Sequence, residues 1–154
     1  TYAILVEAML GPNWFTAASV AGNKIKDTRN FARKTRFHCL KFPTLKAHSL
    51  RVSGRTESSL GRKQKAMQYF NKAIAAATKI GAEYEHARAL IDKSMLEYVE
   101  SKLDREKGLA LLESLGCVLP DAEVEYLGID RECHHFRAKE AREAEAKRMA
   151  EEAK

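Results

Sequence analysis

The chain has 154 residues, 45% hydrophobic and 31% charged, a make-up that fits one soluble globular domain and argues against disorder. No apolar run approaches the roughly 20 residues of a bilayer-spanning helix, and the apolar opening at residues 2–10 lacks the basic flank and cleavage site of a secretion signal. Three cysteines, Cys39, Cys117 and Cys133, are odd in number and widely spaced, which fits free thiols in a reducing, cytoplasmic setting.

Clean period-two alternation is missing, so helices are expected throughout. Residues 1–10 read as a short apolar helix ended by Gly11-Pro12, and residues 14–36 as a second, with Trp14, Ala17, Ala18, Ala21, Ile25 and Ala32 near one face. A third is expected over 43–59, opened by Pro43 and broken at Leu60-Gly61. The fourth, over 63–80, carries Ala66, Met67, Phe70, Ala73, Ile74 and Ala77 at three- and four-residue steps and stops at Gly81.

The fifth is expected over 83–101 with Tyr84, Ala87, Ile91, Ser94, Met95 and Tyr98 along one side. Asp104 is placed as the cap of a sixth that ends at Gly116. Pro120 with Asp121 opens a seventh. From 136 to 154 the composition turns to Ala, Glu, Lys and Arg, which predicts a charged helical tail beyond a repeat domain at 1–135; it either prolongs the seventh helix or packs on a neighbour.

Paired helices with tight turns call for a repeat test. Gly54, Ala66, Phe70 and Ala73 stand at offsets of 0, 12, 16 and 19, which resemble the Gly, Ala, aromatic and Ala positions of the tetratricopeptide repeat. Gly11-Pro12-Asn13-Trp14 with Ala17 resembles the turn of an upstream copy, and Ala87, Leu90, Ser94, Gly108 and Leu112 a downstream one. The period is about 40 to 50 residues against the usual 34 or so. The family's first-helix aromatic is replaced by Glu57 and its closing proline by Thr78.

The stretch from Phe42-Pro43 to Ala87-Arg88-Ala89-Leu90 is similar to long-period repeat regions that follow nucleotide-cyclase, protein-kinase and ATPase domains in large bacterial signalling proteins. The resemblance implies an all-α solenoid of about three stacked antiparallel hairpins plus a C-terminal helix, acting as an interaction or regulatory region of a multidomain parent. In such repeats the first helix of each hairpin lines the concave surface. That implies a shared basic groove formed by His48, Arg51, Arg55 and Ser58 with Arg88, Ile91, Met95 and Tyr98, suited to an acidic peptide.

Other chemistry finds little purchase. Cys133-His134-His135 is a run of metal-ligand types, but consecutive helical residues diverge by about 100°, so Asp130 with His134 is expected as a surface pair instead. No phosphate-binding glycine loop, nucleophile elbow or HExxH helix occurs, so neither a catalytic residue, a metal nor a cofactor is expected. The parent chain could still be a cyclase or kinase that this region dimerises or gates.

Charge is unevenly spread: between Lys24 and Lys65 thirteen Lys or Arg face two acids, Asp27 and Glu57, so this stretch carries +11 and the remainder −5. Such a field attracts acidic protein segments. It also attracts nucleic acid, the weaker expectation because only Phe31 and Phe37 interleave closely with the charges. Counting back from Ala17 puts Leu5 at the small-residue position of the first repeat, so the chain is expected to be a piece of a longer one. Ile4, Leu5, Val6 and Leu10 would then be covered by a missing repeat or by a second copy in a homodimer.

Overall fold

The computed structural model describes residues 22–39 and 42–152, and within them the architecture is all-helical. Seven helices follow in order: α1 (Gly22–Cys39), α2 (Pro43–Ser59), α3 (Lys63–Ile80), α4 (Glu83–Ser94), α5 (Ser101–Ser114), α6 (Asp121–Tyr126) and α7 (Arg131–Glu152). The expectations for Gly11, Pro12, Trp14, Ala17 and the apolar opening lie outside the described residues.

Helices α2 and α3 pair along their length, as do α4 and α5, and the two hairpins stack through α3 against α4 and α2 against α4. Helix α1 flanks α2 on one side, and α7 packs on α5 and α6 on the other. A continuous core threads the stack through Ala32, Val52, Ala66, Phe70, Ala87, Ile91, Leu112, Leu119 and Val124.

Close approach within each hairpin depends on a glycine. A Cβ added to Gly54 would lie 2.5 Å from Phe70 Cε1, so the fully buried Phe70 ring rests directly on the α2 backbone. In the next hairpin, a Cβ on Gly108 would meet Ile91 Cγ1 at 2.7 Å and the Ala87 carbonyl at 3.0 Å. The glycine thus sits on the first helix of one hairpin and on the second helix of the next. Burial of Phe70 alone contributes about 1.5–3 kcal/mol.

Boundaries follow local chemistry. Helix α2 starts at Pro43, and α3 ends on Gly81 at φ 66°, where Ala82 N–H donates to Ala77 O at 3.0 Å. Two expectations are corrected. Helix α4 stops at Ser94 and does not continue to 101, because the chain turns through Glu97 in the left-handed region at φ 53°. Asp104 is not a cap, since α5 begins at Ser101; its carboxylate accepts from Lys93 Nζ at 2.7 Å and from the Tyr98 hydroxyl.

The charged tail continues a helix that begins at Arg131, separate from α6. Residue 136 therefore lies inside α7, whose first turns bury His134 and Ala138. Gly116, at φ 66°, lets this helix come close: a Cβ there would run into the Arg142 side chain and lie 3.3 Å from the Ala138 carbonyl.

Candidate protein-binding surface

The residues expected to line a basic groove do come together, but as a buried ion-pair network. Arg51, Arg55, Arg88, Ile91 and Met95 are buried, and His48, Ser58 and Tyr98 are half-buried. The three guanidiniums converge on Asp92, which is fully buried: Arg55 donates to both carboxylate oxygens at 2.6 and 2.8 Å, Arg51 to Oδ2 at 3.1 Å, and Arg88 stands 4.0 Å from Oδ1.

Glu85 accepts from Arg51 Nε at 3.0 Å and stands 3.2 Å from His48, while Glu123 of α6 meets Arg88 at 2.9 Å and Arg55 at 3.5 Å. The network therefore runs across α2 and α4, the first helices of the two hairpins, and on to α6. Burial alone would raise the Asp92 carboxyl, but Arg55 and Arg51 outweigh it and hold it down at about 2. Burial likewise opposes ionisation of Glu85, and His48 with Arg51 overcomes it, keeping that carboxyl below its ordinary range.

Arg51 and Arg55 are thus matched within the chain by acids from outside the basic stretch, and the open groove of free cations is not what the fold builds. Ile91 and Met95 belong to the core, and Tyr98 turns to Asp104. Asp92 and Glu123 were absent from the expected site. A faint sign existed for Asp92: it stands four residues after Arg88, a spacing that brings both onto one helical face. For Glu123 there was none, since an acid in a first turn ordinarily answers the helix dipole.

Within the basic stretch, Arg29, Arg33 and Lys34 on α1 and Lys46 at the start of α2 are open to solvent. Arg29, Arg33 and Arg36 recur at steps of four and three, which places them on one face of α1. Arg29 Nε donates to Glu57 Oε1 at 3.3 Å, and Arg62 reaches the other oxygen at 3.4 Å, so the Glu57 charge is buried and paired. Arg36 donates to Ser53 Oγ at 2.9 Å and lies over the Tyr69 ring, 4.8 Å from its centroid. Arg33 is exposed and makes no hydrogen bond or ion pair with any described residue.

Two hollows adjoin there and share Arg33 and Arg36. One, of about 210 Å³, is polar and is bounded by Arg29, Asn30, Glu57 and Tyr69. The other, of about 280 Å³, is mostly apolar, between Phe37, Leu50 and the stem of Lys46. Phe37 is 73% exposed.

The Cys133-His134-His135 run separates as helical geometry requires. Cys133 is exposed, while His134 is fully buried, accepts from Leu119 N–H through Nε2 at 3.0 Å and meets Glu113 Oε1 through Nδ1 at 2.9 Å. The expected surface pair of Asp130 and His134 does not form. Asp130 instead accepts from Cys133 N–H at 2.9 Å and so caps α7. Among the described residues no three His, Cys, Asp or Glu side chains gather as a metal site, and no helix is long and apolar enough to cross a membrane.

Compared with family models, curated proteins and solved structures, the chain matches none.

Proposed function

We propose that the chain is a helical-repeat interaction module that binds an acidic segment of a partner protein along the exposed basic face of α1 and α2. The observation that carries this reading is the cluster of Arg33, Arg36 and Lys46 beside the exposed Phe37, which sets guanidinium and ammonium groups next to apolar surface. The likeness to repeat regions of bacterial signalling proteins supports a regulatory role within a larger chain. Stacked hairpins supply a stiff scaffold for such a surface, and the internally neutralised network on α2, α4 and α6 keeps that scaffold in register.

The test is a fluorescence-anisotropy titration with a labelled glutamate-rich peptide, run beside a single-stranded oligonucleotide. The peptide is expected to bind, with an affinity that falls as salt rises from about 0.05 to 0.3 M. Arg33→Glu with Lys46→Glu should weaken it at least about tenfold, because each reversal sets like charges together. Tighter binding of the oligonucleotide would transfer the role to nucleic acid, and indifference of the peptide to both reversals would remove this face from the interaction.

A further inference from the structure

We infer that the polar hollow between α1, α2 and α3 is a receptor for the phosphoryl group of a phosphorylated serine or threonine side chain, with the adjoining apolar hollow taking an apolar residue close by in the same peptide. This deepens the interaction reading above and rests on it.

Donors outnumber acceptors in the polar hollow. Arg33 and the Tyr69 hydroxyl have no hydrogen-bond partner among the described residues, Arg29 uses only Nε, and Arg36 uses only Nη1. The one carboxylate, Glu57, is already engaged by Arg29 and Arg62. The Ser53 hydroxyl is likewise satisfied, accepting from Arg36 and donating to Ser49 O at 2.8 Å. A ligand seated here must therefore be an acceptor with several oxygens.

Charge narrows the choice. The lining holds three guanidiniums and one carboxylate, an excess of two positive charges. A phosphate monoester at neutral pH carries about −1.5 to −2 and cancels that excess, whereas one carboxylate leaves half of it unmatched. Guanidiniums also present the forked donors that suit a phosphoryl group, and stacking on Tyr69 with the bond to Ser53 holds the Arg36 fork in place before any ligand arrives.

Size excludes a drug-sized ligand. About 210 Å³ falls below the roughly 300–1,000 Å³ of sites that enclose drug-sized ligands, so this hollow takes one group of a longer molecule. The neighbouring hollow, walled by Phe37 and Leu50 and sharing Arg33 and Arg36, offers the next contact. A nucleic-acid backbone fits less well, since each phosphodiester brings a single charge and a chain of them needs a track of cations, not one donor-rich recess beside an apolar one.

Three immobilised peptide libraries test this, each with degenerate flanks around a fixed central phosphoserine, serine or glutamate. The phosphoserine library should be retained at least about tenfold better than the glutamate one, as expected for extra charge-assisted hydrogen bonds. Leu, Ile or Phe should be enriched at one flanking position, and Phe37→Ser should erase that enrichment while leaving phosphate dependence intact.

Tyr69→Phe keeps the ring under Arg36 and removes only the hydroxyl, and Arg36→Lys keeps the charge and removes the fork. Both should weaken the selected phosphopeptide about three- to tenfold, and Tyr69→Phe should leave glutamate-rich peptide binding unchanged. If glutamate-rich peptides bind through Arg33 and the phosphoserine library gains nothing over the glutamate library, the phosphoryl inference falls and the interaction reading stands. If neither binds, both fall. An oligonucleotide that competes as well as the phosphopeptide also overturns the inference.

Discussion

Arg55 closes on Asp92 with both sides of its fork, Nε at 2.6 Å from Oδ2 and Nη2 at 2.8 Å from Oδ1, and the carboxylate is wholly out of water. Burial raises the carboxyl, yet the Arg55 and Arg51 charges bring it down from 3.8 to about 2. A depressed folded-state value means that the unfolded chain binds the proton more readily. The stabilisation is therefore complete above the unfolded value near 3.8 and is lost as pH falls toward 2. It amounts to about 2 kcal/mol. Urea midpoints should fall across that window, and a carboxyl NMR titration should show Asp92 still mostly ionised at about pH 3.

Removing the charge altogether should be worse than titrating it. Asp92→Asn leaves Arg51, Arg55 and Arg88 facing one another with Glu85 and Glu123 as their remaining acids, and should destabilise the fold by about 3–5 kcal/mol. Asp121→Asn makes the contrast: Asp121 pairs with Arg131 at a similar 2.9 Å, but both side chains are more than 60% exposed, so the change should be under about 1 kcal/mol. Chemical denaturation of the two variants checks the pair; equal effects would mean that burial does not govern the network.

The helix pattern was legible where the stop signals are local. Pro43, Gly61 and Gly81 bracket α2 and α3, and both helices have the expected bounds. The end of α4 was not legible because its left-handed turn falls on Glu97, a residue type that gives no sign of such a backbone. The buried network is hidden from the sequence for a related reason. Sequence shows that Arg51, Arg55 and Arg88 are charged, and charge ordinarily means surface. Their partner Asp92 is 37 residues from Arg55 and 41 from Arg51, and Glu123 is 35 from Arg88, so only the stacking of hairpins brings the acids within reach.

Gly54 tests the packing side of the repeat. In Gly54→Ala the new methyl would sit 2.5 Å from the Phe70 ring, and the ring is fully buried with nowhere to retreat. The substitution should cost about 1–3 kcal/mol despite the better helix propensity of alanine. Adding Phe70→Leu relieves the overlap, so the double variant should be less unstable than the two separate losses sum to, a coupling of about 0.5–3 kcal/mol. Strict additivity in thermal or urea unfolding would show that the ring does not rest on the α2 backbone.

His134 tests the junction between α5, α7 and the segment before α6. Its Nε2 accepts from Leu119 N–H, so the ring proton sits on Nδ1 and is donated to Glu113. The imidazole thus satisfies a buried backbone donor and a carboxylate at once, and both of its nitrogens are engaged within the chain. His134→Leu preserves most of the volume but leaves Leu119 N–H without an acceptor, and should destabilise by about 1–3 kcal/mol. Occupied in this way, the ring has no lone pair to offer a metal, and Cys133 projects to solvent on a different face. Added zinc should accordingly leave the unfolding midpoint of the unaltered chain where it is. A rise with zinc that disappears in His134→Leu would show that the ring leaves Leu119 to take the ion.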